Sequence, residues 1–339
     1  MLDITLYIPG LFDSEIMMDD DHHHPDLSAL EYLLARGQKI TIQSASHNAD
    51  LCHLFNYVPA EDEDIPMAAI GRLIDDEKRP EGYWMRADPV HLLADQKSLS
   101  LLDASNLSLT QHDALALAAC VQQSFTELGW VLEVPVPTRW YVKLNRKPSI
   151  RTSDLQMVTG SDIQQHMPMG EDAAIWHRLM NEIQMQFHSA DINQLRVERG
   201  ELPVNSLWLW GTGALPDLQE RRWSRVFSDD VNTMGLSMLS NTPCLPLPEL
   251  AENLFSEESK TANVLVVMSE FQSTFLQHEQ RQEQLDKLEN TWCKYLLQKL
   301  HEGDLRSLRI ITGSWQFTIK RYSLMKFWLR VKTFNSYIQ

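Results

Sequence analysis

Cysteines are few in this chain and widely spaced. The 339 residues contain four of them, with no Cys-x-x-Cys pair, at Cys52, Cys120, Cys244 and Cys293. Structural zinc sites and disulfide frameworks both require more closely spaced cysteines. The spacing excludes both kinds of scaffold and indicates free thiols in a reducing compartment.

Long apolar runs are also missing. The longest, Ala114 to Val121 and Val264 to Met268, fall far short of the roughly 20 residues that span a bilayer. The first ten residues have no basic group and an acid at Asp3, unlike a secretory signal. We therefore expect a soluble cytoplasmic protein with no membrane partner.

Common catalytic motifs are absent. The sequence contains no Gly-x-Ser-x-Gly, no His-Glu-x-x-His and no phosphate loop with its lysine. The net charge of −16 argues against broad nucleic-acid binding, because nucleic acids are themselves anionic.

Positive charge is concentrated at the C-terminus. Residues 305–339 contain no Asp or Glu but seven basic residues, namely Arg306, Arg309, Lys320, Arg321, Lys326, Arg330 and Lys332. The remainder has 30 − 7 = 23 basic against 46 acidic residues, or −23. With aromatic residues such as Trp315 and Trp328, this segment could bind single-stranded nucleic acid or an anionic surface. Alternatively, the aromatics pack inside and the basic groups face the protein's own acids.

The hydrophobic pattern predicts an α/β fold. Strand-like Leu2 to Ile8 and Lys39 to Ile42 flank a helix that starts near Asp26 and stops at Gly37, an order typical of parallel sheets. Strands and the Thr110 to Leu128 helix in the middle indicate a separate α+β unit, and 324–331 reads as a short helix. At ~100–200 residues per domain, we predict a core of residues 1–75 and 201–339 with a cap inserted at 76–200.

Two acidic stretches have different interpretations. Carboxylates and imidazoles in Asp19 to His24 could hold a divalent cation, but consecutive residues rarely face one ion, so a solvated loop is the alternative. Glu61 to Asp64 is predicted to be a solvated loop.

A cluster of functional side chains occurs at 86–91. Arg86, Asp88 and His91 lie near a strand, and a guanidinium there could hold a carboxylate or phosphate. The alternative is an internal Arg86–Asp88 ion pair with a packed His91.

A second cluster occurs at 193–213. It contains Asn193, Arg196, Asn205, Gly211 and Gly213, and its strand ends in Gly-Thr-Gly. Glycines permit close approach of a ligand to the backbone, although a tight turn explains them equally. Together with Arg86, Asp88 and His91, these residues are our candidate ligand contacts, for a phosphorylated small molecule or a protein partner.

Three stretches of the chain resemble the RpfE-type regulatory proteins of bacteria. They are Tyr83 to Leu92, Met180 to Met185 and Val204 to Gly213. This resemblance implies a regulatory role.

More distantly, the order of elements resembles the archaeal-type cofactor-independent phosphoglycerate mutases of the alkaline-phosphatase superfamily. The resemblance rests on His24 to Gly37, on Arg86, and on the run from Asn193 to Gly213. It implies an alkaline-phosphatase-like, mostly parallel sheet flanked by helices, with an inserted α+β cap.

The metal ligands of such enzymes are largely replaced here. The resemblance places them at 10–15, 270–278 and 313–315, where only Asp13, Ser14, Glu270 and His278 remain as candidates. Two-metal phosphoryl transfer needs its full ligand set, so we expect a non-catalytic regulatory or binding protein. The alternative is a phosphoglycerate mutase or related phosphotransfer enzyme, with Asp13 and Ser14 as catalytic residues. Glu270 and His278 would then hold Mn, Zn or Mg.

Overall fold

A computed structural model describes residues 1–13, 26–60, 63–76, 78–94, 99–255, 262–272, 278–326 and 328–338. These residues form two compact units, Met1–Asn56 with Leu218–Gln339 and Tyr57–Asp217. The strands are β1 (Leu2–Tyr7), β2 (Gln38–Thr41), β3 (Tyr83–Ala94), β4 (Leu99–Leu102), β5 (Val131–Val136), β6 (Arg139–Leu144), β7 (Ser206–Ala214), β8 (Arg225–Phe227), β9 (Cys244–Leu245), β10 (Asn263–Val267), β11 (Leu305–Thr312) and β12 (Trp315–Lys320). The α-helices are α1 (Ser28–Arg36), α2 (His47–Leu54), α3 (Met67–Asp75), α4 (Gln111–Glu127), α5 (Leu155–Val158), α6 (Ala173–His188), α7 (Asp191–Glu198), α8 (Val231–Leu239), α9 (His278–Lys287) and α10 (Lys294–Glu302).

The first unit is built on a mostly parallel sheet. Its order is β2-β12-β11-β1-β10-β8-β9, and β11, β1, β10, β8 and β9 run parallel. At one edge β12 pairs antiparallel with β11, and β2 pairs antiparallel with β12. The central strands β1 and β10 are mostly apolar and are buried except at Asp3 and Asn263, which are half-buried, as expected for strands covered on both faces.

Helices cover this sheet through apolar side chains. Leu30 and Leu33 of α1 and Leu296 and Leu300 of α10 are fully buried in one cluster with β1, β10 and β11. A π-helical turn, Leu288–Cys293, joins α9 to α10. No helix among the described residues is long and apolar enough to cross a bilayer.

The second unit is an antiparallel sheet with helices. Its order is β4-β3-β6-β5, and β7 also pairs with the long β3. Ion pairs tie α3 to this sheet: Arg72 contacts Glu133 of β5 at 2.7 Å, and Asp75 accepts both guanidinium branches of Arg139.

The predicted fold class is confirmed in the described residues: an α/β protein with a mostly parallel, helix-flanked sheet. The compact units, however, divide at 56/57 and 217/218 rather than at the predicted 75/76 and 200/201. The reason is packing, because α3 is held by the Arg139 ion pair and β7 pairs along most of β3.

β2 is separated from β1 by β11 and β12 but runs in the same direction as β1. One local prediction is wrong. The helix predicted at 324–331 is replaced by a 3-10 turn, Arg321–Met325, followed by irregular chain where it is described. Like charges one turn apart, Lys326 and Arg330, disfavour a helix there.

Candidate functional site

Arg281 lies where β1 and β10 end. Its side chain is 3% exposed. Nη2 donates to the carbonyls of Gly10 at 2.6 Å and Leu11 at 3.0 Å, and Nη1 donates to that of Phe271 at 3.1 Å. The guanidinium therefore joins the chain after β1 to the chain after β10. Ligands bind at this carboxyl edge in open α/β sheets.

The donor set here suits a guanidinium rather than a divalent metal. Burial lowers the pKa of Arg281, and Asp13 opposes that shift, but an arginine keeps its charge inside proteins. Its N–H groups occupy three carbonyl oxygens and bring a fixed positive charge to this edge. That charge repels a cation in its vicinity.

The four residues of the rearranged metal site are only partly described. Asp13 and Glu270 are both exposed. Ser14 lies outside the described residues, as does Asp19 to His24, and His278 is the first residue of α9. Among the residues that the structure does describe, no three metal-binding side chains form a group. Their convergence on one metal ion remains a prediction.

A second polar cluster begins at the last residue of β1. The Tyr7 hydroxyl lies 3.1 Å from His47 Nδ1 and donates to Asp50 at 3.2 Å, and the two rings stack at 5.5 Å. Ser44 donates to the same Asp50 oxygen at 2.7 Å. Burial lowers the pKa of His47 to about 4, with Asp230 opposing, so the imidazole is neutral near pH 7.

This cluster offers acceptors to a ligand or water. Because the Tyr7 proton goes to Asp50, His47 Nδ1 carries the imidazole proton and Nε2 carries the lone pair. Asn232 donates to Asn48 at 3.0 Å. His47 Nε2 and Asn232 Oδ1 are buried without a hydrogen-bond partner among the described residues. Both are groups that a buried donor would satisfy.

Sequence reasoning missed both groups. His47 begins α2, whose N-cap Ser46 accepts from Ala49 N–H. A serine before this short helix was the available signal. No such signal distinguishes Arg281 in the sequence, because it lies in a Gln- and Glu-rich polar stretch.

Arg86 and Asp88, the first predicted ligand contacts, pair with each other. Arg86 donates twice to one Asp88 oxygen, at 2.9 and 2.7 Å, and Trp210 Nε1 donates to the other at 2.7 Å. Burial raises the pKa of Asp88 against the opposing charge of Arg86. His91 Nδ1 lies 2.7 Å from the Pro203 carbonyl. This is the internal ion pair that the sequence left open as the alternative.

The 193–205 residues also have partners within the second unit. Asn193 bonds with Phe187 and with both backbone groups of Val204. Arg196 is fully buried against Asp113 at 2.9 Å and also donates to the carbonyls of Leu107 and Leu202. Asn205 bonds with both backbone groups of Leu92, as a paired strand residue would. Each of these side chains already bonds with backbone groups of the second unit. Direct ligand contact by them remains a prediction.

The Gly-Thr-Gly segment lies inside a strand. β7 continues to Ala214, and its register with β3 shifts between Trp84 and Arg86. A side chain at Gly213 would meet Pro66 Cβ at 2.6 Å. The glycine therefore permits an irregular, closely packed strand, rather than the predicted strand end.

Asp64 was wrongly predicted to be solvated. It accepts hydrogen bonds from the backbone and hydroxyl groups of Thr152 and Thr212, with the Thr212 hydroxyl at 2.7 Å. Burial raises the pKa of Asp64, and these hydrogen bonds oppose the rise. Their geometry explains why a carboxylate within an acidic run is held inside the unit.

A cleft of about 290 Å³ lies beside Asp64 in the second unit. Its lining includes Gly213, one of the predicted ligand contacts. The charged side chains of its lining are the carboxylates of Glu63, Asp64 and Asp217 and the ammonium group of Lys147. The rings of Tyr57 and Tyr83 lie beside them. Glu63 and Lys147 form an ion pair. The lining is therefore net acidic.

Sequence comparison finds relatives over a short stretch. No family model matches the chain. It is 39% identical over 59 residues to a probable 2,3-bisphosphoglycerate-independent phosphoglycerate mutase of Geobacter sulfurreducens, and 34% identical over 59 residues to such a mutase of Methanosarcina mazei. Each match covers 17% of this chain and 15% of the relative. The chain is thus distantly homologous to cofactor-independent phosphoglycerate mutases, but it matches only about one seventh of their length.

Solved structures agree over most of the chain. The PH0037 protein of Pyrococcus horikoshii has a TM-score of 0.56 at 12% identity, covering 94% of this chain and 87% of that protein. A cofactor-independent phosphoglycerate mutase of Thermoplasma acidophilum has a TM-score of 0.43 at 16% identity, covering 94% and 89%. At such identities the first match establishes the fold alone.

Proposed function

We propose that this chain is a phosphoglycerate-mutase-like protein without mutase activity that acts by binding a ligand or partner, in the regulatory role that the RpfE-type resemblance implies. One observation carries the proposal. Arg281 holds the carbonyls of Gly10, Leu11 and Phe271, in two of the three stretches where the resemblance to phosphoglycerate mutases places the metal ligands.

Electrostatics supports the loss of metal chemistry. Two unit charges 4 Å apart repel by ~4 kcal/mol at the effective dielectric constant near a protein surface, and a divalent ion doubles that figure. A relative that binds two metals offsets such repulsion with carboxylates. Here the nearest candidates, Asp13 and Glu270, are both exposed, and the charge of Asp13 acts on Arg281 itself.

Turnover measurements test the proposal. Full-length protein is incubated with 3-phosphoglycerate and with p-nitrophenyl phosphate, in the presence of Mn²⁺, Zn²⁺ or Mg²⁺ and again with a chelator. We expect no rate above the Ser14→Ala variant under any condition. Metal-dependent turnover that is lost in Ser14→Ala would establish the phosphotransfer alternative instead.

The cleft is the expected place of small-molecule binding in the second unit. Its net acidic lining favours neutral or cationic ligands, because a phosphate would meet three carboxylates and one paired ammonium. We therefore expect metal-free 3-phosphoglycerate to leave the thermal midpoint unchanged at millimolar concentration. A clear increase in the thermal midpoint would support the phosphorylated ligand that the sequence suggested.

A further inference from the structure

An exposed apolar surface lies near the C-terminus. Within residues 322–331, Tyr322, Met325 and Trp328 are 63, 73 and 69% exposed, and Leu329 and Val331 are each 38% exposed. We call the described residues of 322–332 the C-terminal arch. Scattered exposed hydrophobics are normal, but several within one short segment favour a binding surface.

Buried anchors hold both ends of the arch. Leu324 is buried, and its carbonyl accepts from the Tyr32 hydroxyl at 3.2 Å. Beyond the arch, Phe334 and Tyr337 are buried, with ring centroids 5.5 and 5.8 Å from Phe12.

A third contact holds the arch near its middle. The buried Arg36 donates to the Leu329 carbonyl at 2.7 Å. The exposed side chains therefore project from a segment fixed to the first unit at three points.

The same segment is basic. Lys326, Arg330 and Lys332 lie among the apolar residues, and in the described chain none forms an ion pair with an acidic side chain. Burial, and after it the charge of Lys332, lowers the pKa of Lys39 on the edge strand β2. Two lysines thus share one region, and no described acidic side chain forms an ion pair with either of them. This excess of positive charge favours a bound anion.

We propose that the C-terminal arch docks on the surface of an anionic phospholipid bilayer. Trp328, Leu329 and Val331 would enter the headgroup–acyl boundary, and Arg330 and Lys332 would pair with lipid phosphates. Apolar area combined with basic charge is what interfacial membrane binding requires. The aliphatic side chains favour a bilayer over single-stranded nucleic acid, which is bound by stacking on aromatic rings.

Vesicle co-sedimentation tests the docking. Full-length protein is mixed with phosphatidylcholine vesicles, with or without phosphatidylglycerol at about a third of the lipid. We expect binding only to the anionic vesicles, weakened at least tenfold by raising the salt from 0.05 to 0.5 M, because Lys and Arg attraction is screened. Arg330→Glu with Lys332→Glu should abolish it.

Two further variants separate the contribution of apolar contact from that of charge. Trp328→Ala should reduce binding several-fold at every salt concentration, since it removes apolar contact and no charge. Lys287→Glu, at an exposed position of α9, is the charge-reversal control and should leave binding nearly unchanged. Circular dichroism checks that each variant is folded.

Other outcomes overturn the proposal. They are absence of vesicle binding, equal binding to neutral and anionic vesicles, or binding that survives Arg330→Glu with Lys332→Glu. Two other occupants are tested alongside. An arch-dependent complex with a single-stranded oligonucleotide, or arch-dependent self-association in the ultracentrifuge, without vesicle binding, would assign the arch to nucleic acid or to the acidic surface of a second copy.

Discussion

Single polar residues buried in this molecule hold backbone groups that would otherwise lack partners. Arg281 satisfies three carbonyls, Arg196 satisfies two besides its ion pair, and Asn193 pairs with Val204. An unpartnered buried carbonyl is costly. The structural role of these side chains is therefore large.

Replacing Arg281 tests that role directly. Arg281→Met keeps most of the volume but removes the guanidinium donors from the Leu11 and Phe271 carbonyls, while the Gly10 carbonyl keeps the Asp13 N–H. We expect the free energy of unfolding to fall by ~2–4 kcal/mol. Lys287→Met on the exposed part of the same helix should change it by less than ~0.5 kcal/mol. Urea denaturation measures both. Equally small decreases in unfolding free energy for the two variants would show that the carbonyls find other partners.

His47 predicts a pH dependence. Its pKa is lowered from 6.5 to about 4 in the folded chain. Between these values the unfolded chain binds a proton and the folded chain does not, so stability is full above pH 6.5 and falls as the pH decreases towards 4. The loss attributable to His47 is on the order of 2–3 kcal/mol at pH 4.5.

The variant His47→Phe isolates this contribution. It keeps the ring stacked near Tyr7 but cannot be protonated. The unfolding free energy is measured in urea at pH 7 and 4.5. The wild type should lose about 2–3 kcal/mol more than His47→Phe, whereas the exposed control His112→Phe should behave like wild type. Parallel losses in all three proteins would remove His47 as the cause.

Side-chain chemistry at this scale was only partly predictable. The sequence identified Arg86, Asp88, Asn193 and Arg196 as candidate ligand contacts, and they are buried and hydrogen-bonded to other groups of the chain. It could not show their partners, because Arg196 meets Asp113 from 83 positions away. Long-range pairing, which one sequence does not contain, decides between ligand contact and internal support.

Elements with strong patterns were predicted well. Thr110 caps α4 as expected, since its hydroxyl accepts from Asp113 N–H, and β1 and β10 follow their apolar runs. α2 and α3 were missed. α2 has no marked apolar periodicity, and Gly71 within α3 weakens the helical signal.

One element depends on a charge supplied from far along the chain. Glu289, fully buried in the π-helical turn, accepts from the backbone N–H groups of Ala29 at 2.8 Å and Leu30 at 2.9 Å. These are orphan donors in the first turn of α1, where the helix dipole favours a carboxylate. Nothing near residue 28 in the sequence indicates this partner.

Glu289→Gln should loosen α1. The amide presents an NH₂ group to one of the two N–H donors, so a hydrogen bond becomes a repulsion. We expect a loss of ~1–3 kcal/mol in unfolding free energy and faster hydrogen exchange at Leu30. Glu283→Gln, on the exposed face of α9, is the control. Unchanged exchange at Leu30 in Glu289→Gln would contradict the capping role.

At the scale of the whole molecule, the two units differ in how the chain builds them. The unit 57–217 is continuous, with its own sheet and its own buried ion pairs, Arg86–Asp88 and Arg196–Asp113. The other unit needs both ends of the chain, because β1 lies between β10 and β11. The limits of the two units depend on the partners of α3 and β7, which lie far apart in the sequence.

This difference predicts unequal autonomy. A fragment of residues 57–217 contains every strand partner in its sheet and should fold alone, with a cooperative urea transition and a near-ultraviolet dichroism signal from buried tryptophans such as Trp140, Trp176 and Trp208. Residues 1–56 alone should stay unfolded, since β1 would lack both neighbours and expose its apolar side chains. Adding residues 218–339 in trans should restore structure to residues 1–56. A gradual, non-cooperative transition in the 57–217 fragment would show instead that its sheet requires the rest of the chain.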